Sequence, residues 1–252
     1  MRTLTTGLAA LTCLATASIG AVVTGAASTA SAPTASTPAT TVSRAMPSPS
    51  DFAHPKANPW FPLRPGTVWR LHGVEEGQHF NQRTAVTHRH KKVAGVRVTI
   101  VRDVIRRRDG SIAELTHDWY AATDTGAVWY FGEATATYGR DGHLIDREGS
   151  WRAGVHGAVA GLIMPAHPHV TDAFRQEYER GVAEDQAWIV ERGARVRTPA
   201  VDTGRGLRSL EWARLEPGVV SQKLYVRGYG IVSERDLGGG HETYELLSVK
   251  RP

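Results

Sequence analysis

Alternation with a period of two dominates the chain. Between Val93 and Ile105, residues Val96, Val98, Ile100, Arg102 and Val104 fall on one side, and Arg97, Thr99, Val101 and Asp103 on the other. That is the mark of an extended strand with one mainly apolar face. Turn signals follow at Asp109-Gly110, Thr125-Gly126 and Asp141-Gly142, each supplying a glycine able to take the positive φ that tight hairpin loops need. Further short strands are expected over 194–201, 207–215, 219–225, 231–236 and 242–249, separated by glycine, proline or charge. One stretch is ambiguous: Thr171 to Arg192 has a helix-like composition with a break at Gly181, but it also alternates, with Phe174, Gln176 and Tyr178 on one side. Its neighbours favour strands. The pattern predicts an all-β domain, a curved antiparallel sheet or half-open β-barrel meander.

Two segments before this domain read differently. Met1 and Arg2 precede an apolar run, Leu8 to Val23, and small residues ending at Ala30-Ser31-Ala32, so 1–32 reads as a secretory signal peptide. The run is interrupted by Thr12, Thr16 and Ser18 and followed by small polar residues, which argues against an integral membrane span. Residues 33–57 are rich in Ala, Thr, Ser and Pro and read as a disordered linker, with the domain over 58–252. The only cysteine, Cys13, lies in the signal segment, so the exported domain is expected to hold together without a disulfide. A secreted protein, in association with the cell wall or free of it, is the localisation this implies.

Charge changes the picture little. The net charge of +5 and isoelectric point near 9.5 invite a nucleic-acid reading. Yet Arg2 and Arg44 precede Asp51, leaving 28 basic residues against 25 acidic ones from there on, a net of +3. The basic runs His88 to Lys92 and Arg106 to Arg108 read as solvated strand ends, so no nucleic-acid partner is expected.

Several segments, taken in order, resemble a family of secreted bacterial proteins of actinobacterial type with no established activity. They are NPWFPLRPGTVWR (Asn58 to Arg70), DWYAATDTGAVWYFGE (Asp118 to Glu133), GSWRAGVHGAVAGLIMPA (Gly149 to Ala166), FRQEYERGVAED (Phe174 to Asp185), and LEPGVV followed by KLYVRGYGIVSE (Lys223 to Glu234). The resemblance implies strands around Phe174 to Tyr178 and implies export, but no chemistry.

Candidate chemistry gathers in the hairpin from Asp118 to Glu133. A two-residue loop at Thr125-Gly126 would set Asp118 opposite Glu133, two carboxylates about 5 Å apart that must share a proton, bind a cation or meet an arginine. A glycine bulge at Gly126 would instead pair Thr123 with Ala127 and place Glu133 beside His117. Alternation sends Trp119 and Tyr120 to opposite sides, and Trp129 and Phe131 to the side opposite Tyr130. Large rings on both faces require cover on both. Trp119, Tyr120, Trp129, Tyr130 and Phe131 are therefore candidate ligand-binding residues on a concave face, and a small apolar or glycan-like ligand or a cell-wall polymer is the partner they suggest. Two alternatives stand beside this binding module: a carboxylate- or cation-dependent hydrolase using Asp118, Glu133 and His117, and a purely structural wall protein.

Other motifs carry less. His88 with His90, and His167 with His169, have the spacing of metal ligands, but cations crowd the first pair and Pro168 interrupts the second, so no metal is expected. Glu177, Glu184 and Asp185 read as a charged turn, and Gly154 to Leu162 as a close-packed turn or loop over the sheet. The sequence holds no phosphate loop, dinucleotide fingerprint or nucleophile elbow, and no cofactor is expected.

Overall fold

The computed structural model describes residues 46–252. The segment read as a signal peptide and the first part of the stretch read as a linker lie outside the described residues. The chain runs as five long strands, β1 (Val68–Glu75), β2 (Gln78–Val93), β3 (Val96–Arg107), β4 (Ile112–Ala122) and β5 (Val128–Tyr138). Short pieces come next, β6 (Leu144–Asp146), β7 (Trp151–Arg152), β8 (Val159–Met164), β9 (Ala173–Arg175) and β10 (Glu177–Tyr178). The chain then completes β11 (Asp185–Thr198), β12 (Val201–Ala213), β13 (Val220–Val226), β14 (Gly230–Gly238) and β15 (Thr243–Lys250). All pairings are antiparallel, in the order β10-β8-β5-β4-β3-β2-β1-β15-β14-β13-β12-β11-β9. Gly110, Gly126 and Gly142 all take positive φ, as the expected turns require.

The ambiguous stretch proves to be the seam. Residues 173–178 are extended, with Phe174 paired to Ala187 of β11 and, just beyond, Glu177 paired to Ala160 of β8. One short stretch thus hydrogen-bonds both free edges and nearly closes the sheet into a barrel, leaving little edge exposed. Gln176, between the two halves, is buried and donates its backbone N–H to the Asp185 carbonyl at 2.8 Å. Gly161 faces this crossing, where a Cβ would collide with the backbone of Gln176.

The packed domain begins before Asn58. Pro49–Phe52 forms a 3-10 turn, Phe52 is buried edge-on to Phe131 at 5.4 Å, and the Asp124 and Lys56 N–H groups hydrogen-bond across to Asp51 and Thr123. The segment 46–57 therefore lies on the tip of the β4–β5 hairpin instead of forming a free tether. Asn58 anchors the residues after it. Its amide donates to the carbonyls of Gly126 and Pro165 at 2.8 and 2.9 Å, and its oxygen accepts from the N–H groups of Trp60 and Phe61. All four capacities of a buried amide are satisfied, which holds Trp60 to Leu63 across the barrel mouth.

Candidate functional site

Both registers foreseen for the β4–β5 hairpin occur in one ribbon. At the tip, the Thr123 N–H bonds the Ala127 carbonyl around Gly126, and Tyr120 pairs with Tyr130. Farther down, Asp118 pairs with Glu133. A β-bulge between Asp118 and Tyr120 converts one register into the other, opposite Gly132, whose φ of 123° and close approach to the Trp151 carbonyl leave no room for a side chain. His117 is directed to the other face, paired with Arg102 and Ala134, so the expected triad of Asp118, Glu133 and His117 does not assemble.

Directly paired residues share a face, and the inner face of this wall carries Asp103, Thr116, Asp118, Tyr120, Tyr130 and Glu133. Tyr120 and Tyr130 stack at 4.6 Å, and the Tyr130 hydroxyl donates to Asp118 at 2.9 Å. Trp119, Trp129 and Phe131 point outward and are covered: the Lys91 ammonium lies 3.5 Å above the Trp119 ring, and Phe52 packs on Phe131. The five rings expected to line a ligand face are at most 6% exposed, and of them Tyr120 lines the cavity described below. Trp119, Trp129 and Phe131 are packed on the outer face, whereas Tyr130 is packed inside between Tyr120 and Trp151.

The cavity lies under Phe61 to Leu63. It measures about 70 Å³ and is lined by Phe61, Pro62 and Leu63, by Trp69 and Leu71 of β1, Thr84 and Val86 of β2, Val101 and Asp103 of β3, Asp118 and Tyr120 of β4, and Gly230 and Ile231 of β14. Its walls are apolar apart from two carboxyl groups and two hydroxyls. Phe61 meets Tyr120 edge-on at 5.0 Å, and the Trp69 indole donates to the Tyr229 carbonyl, fixing the rim.

Asp103 is the residue that pattern reading passed over. It sits on the more polar face of its strand, yet it is 3% exposed. Gln82 and Thr84 donate to its Oδ2 at 2.8 and 2.7 Å, whereas Oδ1 has no partner. Burial pushes its carboxyl up to about 6 against the hydrogen bonds it accepts and the charge of Arg102. Burial likewise holds Asp118 well above the carboxylate range, with the Asp103 charge adding to it, and Glu133 is raised by burial and then by Glu177 and Asp118. Glu114 and Glu177 are each pushed up to about 8, again chiefly by burial. Glu177 and Asp185 are buried, the former accepting from the Trp151 indole at 2.6 Å, and Glu184 is paired with Arg214. They form no solvated turn, because the seam carries them inside.

Across the barrel the same problem is met differently. The Lys223 ammonium, 4% exposed, stands 2.8 Å from Glu211 and 3.4 Å from Glu234. Although burial opposes it, those two carboxylates hold its pKa well above the usual lysine value. Ser209 and Tyr225 also donate to Glu211.

The histidine pairs lie elsewhere, His88 and His90 along β2 and His167 and His169 in the segment before β9. Among the described residues no cluster of three or more His, Cys, Asp or Glu is arranged to hold a metal, and no helix is long and apolar enough to cross a membrane.

No family model matches the chain, and no curated protein does. Two solved structures are similar in shape. One, from Bacteroides fragilis, is assigned as an exported protein with a YmcC-like fold, at 12% identity and a TM-score of 0.45. The other, from Parabacteroides distasonis, is assigned as a lipoprotein, at 12% identity and a TM-score of 0.38. Each similarity covers 77% of this chain and the whole of the other.

Proposed function

We propose that the protein is a secreted, non-enzymatic binding module of the bacterial family its segments resemble, and that it takes a small, largely apolar ligand in the cavity at the barrel mouth. The observation that carries this reading is the cavity itself: apolar walls contributed by four adjacent strands, β14 and a segment hung on Asn58, with few polar groups facing in. The apolar run near the N-terminus and the small residues after it support export. The site departs from the one read in the aromatic hairpin. Tyr120 remains, and Trp69, Phe61 and the aliphatic residues of β1 to β3 replace the other four rings.

At roughly 10–15 Å³ for each water-sized position, the cavity holds about five heavy atoms. A ligand longer than that leaves by the half-buried edge at Phe61, Leu63 and Ile231. Carboxyl chemistry is a second reading, favoured by Asp103 and Asp118 facing one cavity with raised pKa values. It has less support, since no lysine, arginine or histidine lines the cavity to stabilise a developing anion.

Calorimetric titration with 1-pentanol tests the binding reading. Saturable binding to the native chain, abolished by filling the rim with Ile231→Trp, is the expected result. Absence of saturable binding, or binding indifferent to that substitution, overturns it.

A further inference from the structure

Eleven acidic side chains are buried among the described residues, against a single buried lysine and no buried arginine. Lys223 neutralises the wall formed by β12 to β14. The wall formed by β2 to β5 has no such cation, although Asp103, Glu114, Asp118 and Glu133 all lie on it. A buried charge without a partner is costly, and so is a buried acceptor without a donor. The two acids that line the cavity are therefore the ones a ligand can reach and complement.

Their geometry states what kind of ligand. Gln82 and Thr84 clamp Asp103 through Oδ2, so the side chain cannot swing away, and Oδ1 is left without a donor. Gln82 commits its amide N–H to this clamp, and its own carbonyl oxygen is buried without a partner too. Asp118 already accepts from Tyr130 and adds a second carboxyl to the same cavity. The local surplus is of acceptors, so whatever completes the site must donate. An anionic head group would meet two carboxyls and no cation. Around these acids stand the rings of Phe61, Trp69 and Tyr120, whose faces attract a cation at close range.

Taking the cavity as the binding site, as proposed above, we infer that it selects the protonated amine end of a small apolar ligand, held by the carboxyl groups of Asp103 and Asp118 with its hydrocarbon part against Trp69, Leu71, Val86 and Val101. The barrel contains its own precedent in Lys223, an ammonium held between two buried carboxylates on the opposite wall. The ligand supplies to the cavity wall what that lysine supplies to its own.

The test is a matched pair of probes of one length, n-pentylamine and 1-pentanol, titrated calorimetrically into the native chain and into Asp103→Asn at pH 7.5. The amine is expected to bind at least tenfold more tightly than the alcohol, which is about 1.4 kcal/mol. In Asp103→Asn, which still accepts from Gln82 and Thr84, that preference should fall at least tenfold. Equal affinities in the native chain, or a preference that survives the substitution, overturn the inference and leave the cavity as a neutral apolar site. If neither probe binds, the binding reading itself falls. Should Asp103→Asn fail to fold by circular dichroism, Asp118→Asn carries the same comparison with the same outcomes.

Discussion

Two walls of one barrel hold acids in opposite ways. On β12 to β14, Glu211 and Glu234 enclose Lys223, so a cation built into the chain offsets one of the two carboxylates and burial holds Glu234 up at about 7. On β2 to β5, Asp103, Glu114, Asp118 and Glu133 face inward with hydroxyls and amides as partners, and burial raises all four pKa values. The first wall is complete in itself. The second is complete only when its acids are protonated or when a cation enters, and it is the wall with a cavity in front of it. Burying a charge demands a counter-charge or a proton, and a place where the chain supplies neither is where something external can contribute.

The sharpest way to break the comparison is to remove the internal cation. Lys223→Met should leave two buried carboxylates unpaired and cost about 3–5 kcal/mol, whereas Asp103→Asn should change stability by less than about 1 kcal/mol. Urea denaturation of both variants checks this; comparable losses would mean that the two walls are not electrostatically distinct.

Acidity gives a second, smaller effect. A carboxyl whose folded pKa lies above its unfolded value of about 4 binds its proton more tightly in the folded state. Its contribution is therefore full below that unfolded value and is lost as pH rises through about 6 for Asp103, about 7 for Glu234 and about 8 for Glu114 and Glu177. Glu184 works in the other direction. A hydrogen bond from Arg214 lowers its pKa to about 2, so its contribution disappears only in stronger acid. The domain should be most stable near pH 4–5, with a melting temperature that falls by roughly 5–10 °C between pH 5 and pH 8. A flat profile over that range, measured by calorimetry, would show that the interior acids are already ionised and paired in solution.

The smallest effect concerns His117. Adjacency in sequence groups it with Asp118 and Glu133, yet it lies on the outer face beside Arg102. His117→Gln should shift stability by no more than about 0.5 kcal/mol and leave pentylamine affinity unchanged, as read by melting and titration. A marked loss of affinity would place it in the site after all.

Local pattern made much of this molecule legible. Turn glycines at 110, 126 and 142 and alternation in β3 to β5 were readable, because each depends on a few adjacent residues. Alternation also opposed Trp119 to Tyr120, and Trp129 and Phe131 to Tyr130, while the cross-strand register that sets Tyr120 beside Tyr130 came from the structure. The candidate site was less legible. Asp103 stood on the more polar face of its strand, which ordinarily means solvent, and only the position of its hydroxyl and amide partners on β2 shows otherwise. The Asp118–Glu133 pairing needed a bulge opposite Gly132 that no turn rule at residues 124–126 could supply.

By itself, then, the sequence determined which side chains share a face, since the pleat forces neighbours apart whatever surrounds them. Which of the two faces became the inside was decided only when residues 173–178 joined the edges of β8 and β11 and curled the sheet around its acids. Closure is a relation between strands far apart in the chain. It turned the more polar face into an interior and, with Phe61 to Leu63 hung from Asn58 across the mouth, made a cavity of it.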